Sequence, residues 1–143
     1  MGNFMAANLQ KAGFSVSGFD LSEKSLEVAR KNGIKTPKSA TDAIKNSDYI
    51  ISMLPNTLIV ADLMEKGGVF ENAKKEAIII DSSTIEPLGA QELHKKAKDR
   101  GLTFVDAPVS GGVVGAENGS LVFMVGAESP EIFSVPQFVF FNF

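Results

Sequence analysis

Three short apolar runs constrain this chain more than any other feature: "DYIISML" (48–54), "EAIIID" (76–81) and "LTFVDAP" (102–108). Each ends at a turn signal, namely Pro55, the Ser82-Ser83-Thr84 cluster and Pro108. A strand with one wet face alternates apolar and polar residues, whereas a strand buried on both faces reads as a continuous apolar run. The stretches between the runs are helical in character. The clearest is "EPLGAQELHKKAKDR", where Pro87 suits a first turn, basic residues crowd the end and Gly101 is a stop. Strand and helix in alternation predict an α/β fold, a doubly wound parallel sheet.

The first 20 residues, "MGNFMAANLQKAGFSVSGFD", extend that pattern. Residues 3–12 are good helix formers and Gly13 is a natural terminator. "FSVSGF" alternates apolar and small polar residues and is expected to be a strand ending on Asp20. Ser22 caps the next helix, Asn32-Gly33 ends it, and a short helix is expected from Thr41 to Lys45.

Composition narrows the class. A chain of 143 residues with 44% hydrophobic and 22% charged residues is ordinary globular material, one domain by default. The net charge of −3 leaves no basic footprint for nucleic acid. There are no cysteines, so disulfides and thiolate zinc sites are excluded. No apolar run is long enough to span a membrane, and the first residues carry neither a secretory nor a transit signal.

Two constellations point to chemistry. Gly2 opens a helix and Asp20 follows 20 − 2 = 18 residues later. A helix N-terminus offers open N–H groups and partial positive charge to a pyrophosphate, and an acid about 20 residues on accepts ribose hydroxyls. Leu21 and Ser22, not Arg, follow Asp20, which favours NAD over NADP. The competing reading, a solvated turn acid beside an unremarkable Gly, has equal weight on spacing alone. The second constellation is "DAPVSGG" (106–112), at the C-terminal end of a predicted strand. Ser110, Gly111 and Gly112 can offer a hydroxyl and two unhindered N–H groups to a small carboxylate. The alternative is a tight turn into a hairpin, with Asn118-Gly119 between apolar runs.

"MLPN" (53–56) and "DSST" (81–84) also end predicted strands, each explicable as turn chemistry with Pro55 as breaker and Ser83 or Thr84 as a helix cap. Their interest is convergence, because four strand ends would face one crevice. His94, the single histidine, sits among Glu92, Lys95, Lys96 and Lys98 and reads as part of a solvated helix face. Ser129-Pro130-Glu131 looks like a helix start, but "SVPQFVFFNF" (134–143) is not amphipathic and places aromatics at a terminus.

The set "MGNFMAANLQKAGFSVSGFD", "IISMLP", "IIDSSTIEP" and "FVDAPVSGGVVGAENGSLVFMVGA" resembles the β-hydroxyacid dehydrogenases, and within them the branch acting on 3-hydroxyisobutyrate. The resemblance covers about residues 1–133 and is specific as an ordered set. It implies a partial NAD-binding domain over 1–133 and an NAD-dependent oxidation of a small 3-hydroxy acid in valine breakdown. It assigns Met1, Gly2, Asp20, Leu54, Pro55 and Thr84 to the cofactor, and Ser110, Gly111 and Gly112 to the substrate carboxylate. It further implies a mitochondrial enzyme in a eukaryote and a homo-oligomer.

The family pattern also contains parts not found in this sequence. A first strand and a Gly-x-Gly turn precede Gly2. A Lys-x-x-x-Asn segment with the catalytic lysine, and a helical domain making most of the dimer contact, follow. The expectation is a Rossmann-type sheet lacking its first strand, no catalytic residue in this chain, and an aberrant apolar tail over 134–143. A related β-hydroxyacid dehydrogenase or reductase, or a non-catalytic binding module on the same scaffold, is the alternative.

Overall fold

β-Branched residues stiff at χ1 fit an extended, packed backbone, and the three apolar runs form the three strands of one sheet. The computed structural model describes residues 1–126 together with Ser129 and Ile132. β1 (Tyr49–Ser52), β2 (Ile78–Asp81) and β3 (Thr103–Asp106) lie in the order β1-β2-β3, all parallel. Parallel neighbours need crossover connections. These are α4 (Thr57–Met64) with α5 (Val69–Asn72), and α6 (Pro87–Asp99). Ahead of the sheet come α1 (Gly2–Lys11), α2 (Glu23–Lys31) and α3 (Ala40–Ile44). After it, β4 (Val109–Ser110) and β5 (Val122–Phe123) pair antiparallel around α7 (Gly112–Asn118).

Successive strand residues face opposite sides of a sheet. In β2, Ile79 and Ile80 are both 0% exposed, so the central strand is buried on both faces as its continuous apolar run predicts. One face carries Ile50, Ile79 and Phe104 into a core with Val60, Met64 and Leu93 of the crossover helices. The other carries Ile80 and Val105 towards Phe123 and Val125. Met5 and Leu9 of α1 pack with Ala116 and Leu121 beside Tyr49, Ile51 and Met53.

The local stop signals act where they stand. The Ser22 hydroxyl caps α2 by accepting from Ser25 N at 3.4 Å, and Pro87 occupies the first turn of α6. Gly13 and Gly33 have left-handed φ of 94° and 77° just beyond their helices, a conformation open to glycine at little cost. α6 approaches α4 so closely that a Cβ on Gly89 would lie 2.3 Å from Thr57 Cγ2.

Three expectations are corrected. "FSVSGF" makes only an isolated parallel bridge, Ser17 to Lys35, through Gly18 N to Lys35 O (2.8 Å) and Lys35 N to Val16 O (3.3 Å). Phe14 and Val16 pack beside the α1 cluster, but the short partner segment supports no longer ladder. Asn118-Gly119 does not turn a hairpin. It ends α7, with Gly119 at φ 67° as a left-handed cap between β4 and β5. His94 is half-buried, not solvated, and its Nδ1–H donates to the Phe104 carbonyl at 3.2 Å, tying α6 to β3. The expectations for the tail over 134–143 lie outside the described residues. Among the described residues, no helix is long and apolar enough to cross a membrane.

Candidate functional site

In an open parallel sheet, ligands bind beyond the carboxyl ends of the strands, and at that edge this chain gathers its small and hydroxyl-bearing residues. α1 presents its N-terminus there. Met1 is its cap residue and no side chain caps it, so its leading N–H groups remain open. Gly2 is exposed and a Cβ on it would sit 3.9 Å from Met53 Cβ, which places the start of α1 beside the end of β1.

The loop after β1 and the loop after β2 are joined. Leu54 N donates to Ser83 Oγ at 2.9 Å. Leu54 is half-buried against the core of the crossover helices, while Pro55 and Thr84 are exposed. Asn56, not Pro55, sets the next helix, its side chain accepting from Ile59 N at 3.1 Å. Neither Ser83 nor Thr84 caps α6; Glu86 occupies that position without a side-chain cap.

Beneath these loops lies a buried polar network that the sequence reading does not anticipate. Asp81 is 0% exposed at the end of β2. Its Oδ1 accepts from Ser52 Oγ (2.7 Å), Ser83 Oγ (2.6 Å) and Ser83 N (3.2 Å). Burial raises its pKa above the ordinary carboxylate value, against the opposing pull of the serine hydrogen bonds. Asp106 faces it in register on β3. Its pKa is also raised, first by burial and then by the charge of Asp81. The available signal was an acid at the last position of two neighbouring apolar runs.

Beyond β3, Ser110, Gly111 and Gly112 are exposed where β4 gives way to α7. Gly111 and Gly112 have φ of 126° and 61°, a turn that L side chains adopt only with strain. Asn8 Nδ2 donates to Ala116 O at 2.8 Å and so fastens α7 to α1. Asp20 is exposed outside the three-stranded sheet, its Oδ1 accepting from Ser22 N at 2.8 Å. Asn3 Nδ2 donates to Ser25 O at 3.2 Å and links α1 to the helix that follows Asp20. Among the described residues no group of three or more acids or histidines is arranged to hold a metal.

A parallel α/β sheet with an uncapped helix and hydroxyl-rich loops at its carboxyl edge defines a dinucleotide-binding domain. The chain belongs to the family described as the NAD binding domain of 6-phosphogluconate dehydrogenase, which matches residues 1–139, and NAD is the cofactor of that family. It is 39% identical to an NAD-dependent L-serine dehydrogenase of Pseudomonas aeruginosa, over 90% of this chain and 44% of that protein. It is 44% identical to the mitochondrial 3-hydroxyisobutyrate dehydrogenase of Drosophila melanogaster, over 92% of this chain and 40% of that protein. The solved structure of the Mycobacterium tuberculosis 3-hydroxyisobutyrate dehydrogenase with L-serine superposes with a TM-score of 0.95 at 37% identity, over 99% of this chain and 48% of that one. The chain thus spans under half the length of these relatives.

Proposed function

We propose that residues 1–133 form the cofactor-binding part of an NAD-dependent β-hydroxyacid dehydrogenase that oxidises 3-hydroxyisobutyrate to methylmalonate semialdehyde in valine degradation. The observation that carries this reading is the junction at the sheet's carboxyl edge. The open N-terminus of α1 stands against Met53, and Leu54 N is bonded to Ser83 Oγ, so one edge of the sheet gathers the start of α1 and the loops of 53–56 and 82–86.

In this reading Met1 and Gly2 meet the pyrophosphate, the helix N-terminus supplying N–H donors and Gly2 the close approach. Asp20 accepts the ribose hydroxyls, and Leu54, Pro55 and Thr84 line the cleft. The residues fit the cofactor: Asp20 is exposed with one oxygen engaged by Ser22 N, and no side-chain hydrogen bond caps the start of α1. Ser110, Gly111 and Gly112 hold the substrate carboxylate. When bound, the cofactor takes up the hydride; the residues of this chain bind and orient. No lysine or histidine stands on the loops 53–56, 82–86 or 107–112, so these three loops carry no nitrogen base to take an alcohol's proton.

A second substrate has a specific observation in its favour. The P. aeruginosa relative is named for L-serine, and the M. tuberculosis structure was determined with it. Serine is also a 3-hydroxy acid with a small carboxylate, which the same Ser110–Gly112 turn accommodates. A non-catalytic module that binds NAD without turnover is the reading from a different class, and the empty loops favour it. A mitochondrial site and homo-oligomeric assembly of the whole protein follow from the relatives as expectations.

Calorimetric titration of the 143-residue chain with NAD, 3-hydroxyisobutyrate and L-serine tests this. NAD binding lost in Asp20→Ala, with no NADH formed from either acid, is the expected result. Absence of NAD binding to the folded wild-type chain defeats the reading, and NADH production by the chain alone defeats its claim of inactivity.

A further inference from the structure

We propose that Asp81 and Asp106 share one proton, and that this acid–carboxylate pair pins the ends of β2 and β3 together beneath the Thr84 and Ser110 loops. The two residues are register partners on adjacent parallel strands, so their side chains leave the same face of the sheet side by side. Asp81 is 0% exposed. Its Oδ1 is saturated by Ser52 and Ser83, whereas Oδ2 is buried without a partner. Oδ1 of Asp106 is likewise buried and unpartnered.

Two ionised carboxylates in this position would leave two buried acceptors unsatisfied and two like charges adjacent, each arrangement unfavourable. One proton removes both faults, because an O–H on either residue donates to the open oxygen of the other. Among the described residues, no ion pair brings a cation to either carboxyl. On α6, His94 Nδ1 is directed at the Phe104 carbonyl and Lys96 is bound by Glu65 at 2.6 Å. On α4, Asp62 is bound by Lys66 at 2.8 Å. Tyr49 of β1 lies on the opposite sheet face from Ser52. Burial raises both carboxyls, and the charge of Asp81 raises Asp106 further, consistent with retention of the proton.

The pair reaches the loops through bonded neighbours. Asp81 orients Ser83, which accepts from Leu54 N, and Ala107 N donates to Asp81 O at 2.8 Å at the head of the segment leading to Ser110. Asp81 and Asp106 are therefore positioning residues. That role rests on the function proposed above; the shared proton does not.

The test measures the stability of the wild-type chain, Asp106→Asn and Asp81→Asn by denaturant from about pH 4 to about pH 8, with the infrared spectrum of the wild type alongside. The sign follows from the raised carboxyls: stability is complete below the unfolded carboxylate pKa and is lost as pH rises through the folded one. The wild-type folding constant should fall by up to about tenfold per pH unit between the unfolded and folded carboxylate pKa, where only the folded chain keeps the proton, and level off once that proton leaves. In Asp106→Asn an amide N–H donates in its place and cannot be lost, so the slope flattens. The wild-type spectrum should carry a neutral-acid carbonyl band where ordinary carboxylates are ionised, absent from both variants. A wild type lacking that band, or variants with the wild-type slope, would overturn the pair. If a variant fails to fold, the wild-type band alone decides. A band and slope as expected, with no NAD binding at any pH, would leave the pair standing, overturn its positioning role and remove the proposed function.

Discussion

The backbone N–H of Leu54 donates to the hydroxyl of Ser83 at 2.9 Å, across 29 residues of sequence. That hydroxyl donates in turn to Asp81 Oδ1 at 2.6 Å. One buried serine, 0% exposed, thus connects the loop after β1 to the end of β2.

Ser83→Ala removes the acceptor of Leu54 N and one donor to a buried carboxyl. A buried group left unsatisfied costs about 1–3 kcal/mol, so the variant should be destabilised by roughly that amount in denaturant titration. Because the loop carrying Pro55 loses its anchor, NAD affinity measured by calorimetry should fall as well. A variant with wild-type stability would show that the bond contributes nothing.

Gly89→Ala is predicted to destabilise by steric conflict, since its Cβ would come within 2.3 Å of Thr57 Cγ2. Overpacking of this kind costs about 1–3 kcal/mol. Thr57→Ser removes that methyl while keeping the hydroxyl that accepts from Glu86 N at 3.2 Å. The double variant should therefore recover much of the lost stability in thermal melts, a coupling that a double-mutant cycle measures directly.

Asp20→Asn separates binding from folding. Asp20 is exposed and its amide replacement can still accept from Ser22 N. Melting should stay close to wild type, since exposed substitutions of this kind change stability by about 0.5 kcal/mol or less. NAD binding should weaken by about tenfold or more, reflecting hydrogen bonds to a charged acceptor of about 1.5–3 kcal/mol. Equal NAD affinity in both chains would remove Asp20 from the cofactor site.

Gly2→Ala makes the opposite contrast to Gly89→Ala. Among the described residues the added Cβ meets Met53 Cβ alone, at 3.9 Å, an ordinary contact. The fold should be unaffected or slightly stabilised, because Ala is the better helix former by up to about 1 kcal/mol. NAD titration should nevertheless show weaker binding if the pyrophosphate approaches the start of α1. Unchanged affinity would move the pyrophosphate elsewhere.

Much of this protein is written locally. The apolar runs around Ile79 and Val105 specify strands covered on both faces, and adjacent residues that face opposite sides, Ile79 with Ile80 and Phe104 with Val105, are all buried. Pro87 and Gly101 bound α6, and Ser22 starts α2, since these residues act on backbone groups within a turn of themselves. Leu54 and Pro55 follow β1, and Thr84 follows β2, as the turn signals after those two runs predict. What local sequence did not determine is which polar groups meet. Asp81 reads as one more turn acid until register sets it beside Asp106 and folding brings Ser52 to it from 29 residues away. His94 reads as a solvated residue among lysines until β3 offers it the Phe104 carbonyl. "FSVSGF" has the alternation of a strand, yet only a bridge to Lys35 forms, because a strand needs a neighbour as well as a pattern. Periodicity and capping are properties of a segment and can be read from it. The burial of a carboxyl, the partner that satisfies it and the proton it keeps depend on long-range neighbours, and only the tertiary structure supplies those.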